Sequence, residues 1–323
     1  MSEAYPHLAT IAAFARDAGL TPANPLRQPL AEARTTALAY QALWNQSLPA
    51  IARIHEAATV SPRGTRVALK IFSPAERPDG LPVLIYFHGG GFALNSVATH
   101  ERLMRLLALR SGAAVVGVSY TLAPELRFPG QLEEALAAIA WVRTEGARYG
   151  LDAGRLAVGG DSAGANLALA ATLTLRDAGE ELPALGLLFY GMFSADLASP
   201  SHHTYGAGAF GLTTERVDWF WTQYVADRAQ RDNPLAAPLL ADLHGLPPQL
   251  VIGAGLDCLL DDSLRLAERL NAAGVRNTLS VYPGMPHSFM QMSALLPPAD
   301  AAISEAAHVL RRSLSVPLPL AAE

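Results

Sequence analysis

Cysteine is nearly absent. Cys258 is the only one in 323 residues, so no disulfide within the chain can hold the fold, and a reducing compartment is the expectation. Charge is sparse as well: 16% of residues are charged, and 29 acidic against 24 basic side chains leave a net charge of −5. No basic block interrupts that balance, which argues against nucleic acid as a partner, because phosphate binding needs a positive face. Uncharged apolar runs of the roughly 18 residues that span a bilayer are missing, so no membrane segment is expected. The opening Met1-Ser2-Glu3-Ala4 lacks the basic and then apolar pattern of a secretory leader. Location in the cytoplasm is the resulting expectation. Nucleotide fingerprints are missing too: there is no G-x-x-x-x-G-K-[ST] and no G-x-G-x-x-G opening a helix. No cofactor and no metal are expected.

Apolar residues, by contrast, make up 50% of the chain, too many for disorder and enough to bury about three quarters of the unfolded surface. Residues 1–50 read as two helices, with Leu8, Ile11, Ala12 and Ala15 at helical spacing in the first. Thr21-Pro22-Ala23-Asn24-Pro25 then breaks the pattern before a second stretch from about Leu30 to Leu48. Two helices ahead of any strand are either a surface appendage or part of a lid. Ile54–Val60 and Arg66–Phe72 read as a hairpin. Buried strands are expected at Val83–Phe87, Ala114–Val118, Leu156–Val158, Ala184–Tyr190, Gln249–Ala254 and Thr278–Tyr282. Helices are expected at Glu101–Arg110, Gln131–Thr144, Ala163–Leu175, Asp262–Ala273 and Asp300–Leu314. Alternation of this kind gives an α/β fold, a mostly parallel sheet with helices on both faces. The segment 194–232 interrupts it with Tyr205, Phe210, Trp219, Phe220, Trp221 and Tyr224. Insertions that long in a compact domain are usually functional, although most of its aromatics are expected to form the segment's own core. The tail from Pro317 is expected to fray.

Gly160-Asp161-Ser162-Ala163-Gly164 falls between an expected strand and an expected helix. A chain turning from strand to helix within one residue pushes that residue's side chain out of the bend, and the flanking glycines let the backbones cross. Ser162 is thereby a candidate nucleophile at a helix N-terminus, where negative charge is tolerated. Its base should be a histidine on a loop after a later strand. Of nine histidines, most are expected at the surface, and His202 and His203 fall in the aromatic segment, at the surface or in a lid. His287 follows the last strand immediately and fits the order serine, acid, histidine. Asp257 ends the preceding strand and is the candidate acid, holding the imidazole tautomer. Asp261 and Asp262 compete for that role but suit the first turn of the next helix. Asp161 should point away from the serine's site, as a supporting or structural group. Bare amides for a developing oxyanion are offered by His88-Gly-Gly-Gly-Phe92 at the end of a strand, and Ala163 would add a further N–H. A plain turn and a phosphate cradle are the competing readings of that glycine run.

Assembled, these segments resemble the hormone-sensitive-lipase-like branch of the α/β-hydrolases, and within it the bacterial acetyl esterases. The resemblance is carried by His88-Gly-Gly-Gly-Phe92, Ser119-Tyr-Thr-Leu-Ala-Pro-Glu-Leu-Arg-Phe-Pro129, Gly160-Asp-Ser-Ala-Gly164, Asp257-Cys-Leu-Leu-Asp261 and Met285-Pro-His-Ser-Phe-Met290. It implies a triad of Ser162, Asp257 and His287, and an oxyanion hole from the N–H groups of Gly90, Gly91 and Ala163. It implies cap helices over 1–50, an α/β-hydrolase core over 51–193 and 233–316, and a cap insertion over 194–232. It implies hydrolysis of short-acyl esters, such as acetates, on a small-molecule substrate. This chain departs from the family pattern at Ser119, Cys258 and Ser288, where Asp, Pro and Gly are frequent; these are loop positions bearing on acyl preference rather than on the reaction. An amidase on the same triad and a non-catalytic small-molecule receptor are the rival readings, and activity is expected to fall as His287 takes up a proton. Whether the chain acts as a monomer or a homodimer is open at this level.

Overall fold

A computed structural model describes residues 7–76 and 79–315; the tail beyond Pro317 lies outside the described residues, as does the start of the 1–50 stretch. Apolar strand sequences and amphipathic helices alternate as expected. The strands are β1 (Arg53–Val60), β2 (Arg66–Ser73), β3 (Leu81–Phe87), β4 (Ala114–Ser119), β5 (Leu151–Asp161), β6 (Gly186–Phe189), β7 (Gln249–Leu256) and β8 (Asn277–Pro286). The helices are α1 (His7–Asp17), α2 (Leu30–Trp44), α3 (Glu101–Ser111), α4 (Gly130–Glu145), α5 (Ala163–Asp177), α6 (Pro200–Tyr205), α7 (Thr214–Tyr224), α8 (Leu260–Ala272) and α9 (Pro297–Ser313).

One eight-stranded sheet runs in the order β1-β2-β4-β3-β5-β6-β7-β8. Strand β2 is antiparallel to both β1 and β4, and the strands from β4 to β8 in the sheet order run parallel. This is the α/β-hydrolase fold. Because the strands are buried on both faces, the core forms two apolar layers. One holds residues of α4, α5 and α8, including Leu132, Leu167 and Leu266; the other holds residues of α3 and α9, including Leu107 and Ile303.

Differences from expectation are local and have physical reasons. Strand β5 starts at Leu151, ahead of the apolar run, because Leu151 pairs with Leu81 across a register shift at Pro82/Val83. Strand β8 runs on through Pro283-Gly284 to Pro286, since a bulge opposite Ala254/Leu256 and a positive φ of 72° at Gly284 absorb what reads as a turn. Helix α2 stops at Trp44 rather than Leu48. There the Asn45 amide donates to the carbonyls of Gln41 (3.0 Å) and Thr99 (2.6 Å), which closes the helix and moors it to the body.

Parallel topology decides where function can sit. The chain leaves β3, β5, β7 and β8 at the same edge, with Phe87 level with Gly160 and Leu256 level with Pro286. In open α/β sheets, ligand sites form outside the carboxyl ends of the strands.

Candidate active site

Ser162 leaves β5 at that edge with φ 55° and ψ −120° and is the residue preceding α5. Such a backbone costs about 1–3 kcal/mol for a residue with a Cβ, and the surroundings hold it. Its N–H donates to the Phe189 carbonyl (2.8 Å), and its own carbonyl accepts from Met192 N–H (3.2 Å). A methyl group at Gly164 would run into the Phe87 carbonyl, and one at Gly160 would meet the backbone of Gly164. Helix and strand therefore approach as closely as bare backbones allow.

His287 follows β8 directly. Its Nε2 lies 2.9 Å from Ser162 Oγ and its Nδ1 lies 2.6 Å from Asp257 Oδ2. Asp257 Oδ1 accepts the Leu259 N–H at 3.0 Å, and the carboxylate is buried. With the carboxylate accepting from Nδ1–H, Nε2 is left free to accept the serine proton. Tyr190 packs edge-on against the imidazole, with centroids 5.1 Å apart. The structure thus brings together Ser162, His287 and Asp257 from three strand ends.

Asp261 and Asp262 serve elsewhere, although both lie in the first turn of α8. The Asp262 carboxylate accepts N–H from Phe193 (2.8 Å) and Ser194 (2.9 Å), and that of Asp261 accepts from Ser201 (2.8 Å). They tie the acid's loop to the start of the 194–232 segment. Burial is the main cause that pushes the Asp262 pKa up to about 8, against the opposing N–H donors. An unfolded chain releases that proton near pH 4, so the folded state holds it over a wider range. The stabilisation is complete below about pH 4 and is lost as pH rises through about 8. Thermal melts from pH 5 to 9 should therefore show a smaller loss of Tm in Asp262→Asn than in the unsubstituted protein; parallel curves would refute the assignment.

The glycine loop is braced by hydrogen bonds to Gly89, His88 and Gly90. Asp161 points away from Ser162, as expected, and lies under this loop. Its Oδ1 accepts the Gly89 N–H (3.0 Å) and the Tyr86 hydroxyl (2.8 Å), and His100 Nε2 stands 3.2 Å from Oδ2. Burial raises the Asp161 pKa, but His100, Tyr86 and Gly89 outweigh it, leaving it below the ordinary carboxylate value. The His88 ring, stacked on Tyr120, donates from Nδ1 to the Gly89 carbonyl at 2.9 Å, while Tyr120 donates to the His88 carbonyl at 2.8 Å. Burial, with His100 nearby, lowers the His88 pKa to about 3, so the ring is neutral. The Gly90 carbonyl accepts from Ala93 (3.2 Å) and Leu94 (2.9 Å). The N–H groups of Gly90, Gly91 and Ala163, like that of Phe92, donate to nothing among the described residues.

A cavity of about 490 Å³ opens over Ser162 and His287, walled by Gly90, Gly91 and residues of α1, α2 and α7. Ile11 and Ala12 of α1, and Ala37 and Trp44 of α2, form one side, and Val217 and Phe220 of α7 form another. Phe220 lies so close to Gly91 that any side chain there would enter its ring. Tyr224 stacks flat on Phe92, with centroids 3.6 Å apart.

Several participants were not legible in the sequence. His88, His100 and His202 are buried, while His203, His244 and His308 are exposed; stacking and partners such as Thr99 and Thr214 absorb the buried ones. Tyr86 and His100 reach Asp161 across long sequence separations, which no local pattern encodes. Proximity of His100 to a helix start was the only signal, and it is a weak one.

Comparison with known proteins places this geometry in context. A family model described as the α/β-hydrolase fold matches residues 84–291. A hyperthermophilic esterase from the archaeon Pyrobaculum calidifontis is 32% identical, with 96% of this chain and 98% of that one covered and a TM-score of 0.90. An ester hydrolase from the metagenome of Lake Arreo, solved with a bipyridine phosphonate derivative, is 33% identical over 97% of this chain and all (100%) of that one, at a TM-score of 0.90. A thermostable esterase from Pseudomonas putida is 33% identical over 97% and 98% of the two chains, with a TM-score of 0.88.

Proposed function

The chain belongs to the hormone-sensitive-lipase-like branch of the α/β-hydrolases, and from that membership we propose that it is a serine carboxylesterase working through Ser162, His287 and Asp257. One observation carries the reading: the unbroken relay of 2.6 Å from Asp257 to His287 and 2.9 Å from His287 to Ser162. Ser162 Oγ attacks the ester carbonyl while His287 Nε2 takes its proton. The tetrahedral oxyanion accepts hydrogen bonds from Gly90, Gly91 and Ala163 N–H, whose lack of other acceptors supports that role. Collapse expels the alcohol with the proton from His287, leaving an acyl-serine. Water, deprotonated by the same imidazole, then releases the acid. Asp257 holds the tautomer and stabilises the imidazolium throughout.

In this reading α1 and α2, together with the 194–232 segment, form a cap, since both contribute walls to the cavity above the serine. The substrate is a small ester with a short acyl group, held in a largely apolar chamber. Buried Cys258, the single cysteine, suits a reducing compartment, and no helix among the described residues is long and apolar enough to cross a membrane. A cytoplasmic location follows as part of the proposal. A p-nitrophenyl ester series from acetyl to dodecanoyl, run beside the matching acetanilide, tests the reading. Highest kcat/KM at the short end, with esters far ahead of the anilide, is expected; preference for the anilide would make the protein an amidase, and a peak at dodecanoyl would end the short-acyl assignment.

A further inference from the structure

Among the described residues Arg216 is the one arginine or lysine that lines the cavity, and no aspartate or glutamate lines it. Its place is fixed by the start of α7, where the Thr213 hydroxyl accepts the Arg216 N–H at 3.0 Å. That sets Arg216, Val217 and Phe220 in the lining of the cavity that Ser162 and His287 also line.

Other arginines set deep in the protein are matched. Arg34 meets Glu125 at 2.6 Å, and both Arg105 with Glu101 and Arg231 with Asp218 close to 2.5 Å. Arg216 has no such partner. Among the described residues its guanidinium makes no ion pair and no hydrogen bond, and its Nε is buried with nothing to donate to. The Phe220 ring, 6.0 Å from the guanidinium carbon, offers its face but no acceptor. The nearby Cys258 thiol supplies no anion, because burial pushes its pKa up. Burial also lowers the Arg216 pKa, the direction expected where a charged group loses water without gaining a counterion. A guanidinium presents a planar fork of donors that matches a carboxylate in two hydrogen bonds.

We propose that Arg216 is a subsite for a carboxylate carried by the substrate, so that the preferred ester bears an anionic group away from its scissile carbonyl. The inference rests on the esterase reading for its chemistry: the ester bond is cleaved by Ser162, and the remote carboxylate passes through unchanged. It is held against Arg216 while the carbonyl lies beside the amides of Gly90 and Gly91. The carboxylate can sit on either half of the ester, giving a half-ester of a dicarboxylic acid or the acetate of a hydroxy acid.

Two matched pairs separate these cases. Mono-p-nitrophenyl succinate against p-nitrophenyl pentanoate places the charge on the acyl side, and 4-acetoxybenzoate against 4-acetoxybenzamide places it on the alcohol side. Rates are normalised to each ester's hydroxide-catalysed hydrolysis. In at least one pair the anionic member should lead in kcat/KM by about tenfold or more, as expected for hydrogen bonds to a charged group. Arg216→Met should collapse that ratio toward one, and Arg216→Lys should restore part of it. A ratio cancels any loss of folded enzyme. Calorimetric binding of succinate and 4-hydroxybenzoate reads the subsite without turnover: binding to the unsubstituted protein that is lost in Arg216→Met supports it even if no ester is cleaved, in which case the esterase reading alone falls. Cleavage of the neutral esters, with neither an anionic preference nor anion binding, overturns the subsite and leaves the esterase standing.

Discussion

Ser162→Ala should reduce kcat for p-nitrophenyl acetate by about 10⁴-fold or more, the scale of loss when a triad that acts as a unit loses its nucleophile. The structure argues for a clean experiment. The serine hydroxyl has one partner, His287 Nε2 at 2.9 Å, and the strained backbone at φ 55° is held by contacts of Phe189 and Met192 with Ser162 main-chain atoms. Removing one oxygen therefore leaves the bend intact, and the thermal midpoint should stay close to that of the unsubstituted protein. Covalent labelling by a fluorophosphonate should vanish with the activity. Turnover retained within tenfold, with label still attached, would place the nucleophile at another residue.

Asp257→Asn is the second large effect, with kcat expected to fall by about 10⁴-fold and KM to change little. The carboxylate is buried and committed, with Oδ2 2.6 Å from His287 Nδ1 and Oδ1 accepting from Leu259 at 3.0 Å. An asparagine fills the same space, but it can turn its NH₂ toward Nδ1. The imidazole would then carry its proton on Nε2, which faces Ser162, and could not take a second one from the serine without an uncompensated charge. Unchanged KM would report an intact cavity, and the loss in kcat would report the wrong tautomer. A decrease smaller than about tenfold would mean that the imidazole is oriented by something other than this carboxylate.

How much of this was legible beforehand depended on whether the signal was local. The glycine-flanked Ser162, the strand-terminal Asp257 and His287 just after the last strand each carry a local signature, and the parallel alternation requires that the ends of β5, β7 and β8 meet at one edge. Strand limits were less legible wherever pairing overrode composition. Leu151–Arg155 looks like a polar turn until Leu81 pairs with it, and Pro283-Gly284 looks like a stop until a bulge accommodates it. Least legible was the support beneath the glycine loop. Nothing near Asp161 in the sequence announces that Tyr86 and His100 will converge on it. Arg216 stayed silent for a related reason, since an arginine in a polar helical turn looks solvated until the fold turns it toward the cavity.

The contact between Phe220 and Gly91 ties together two things that are usually engineered separately. In the proposed mechanism the ring against Gly91 comes from the segment that forms the cap, so a library that varies α7 to admit bulkier esters would also disturb the surroundings of the proposed oxyanion donors. Chimeras that import this segment from a relative should thus differ in turnover number as well as in selectivity, and recovering speed after such a graft calls for retuning the aromatic at 220 before anything on the sheet.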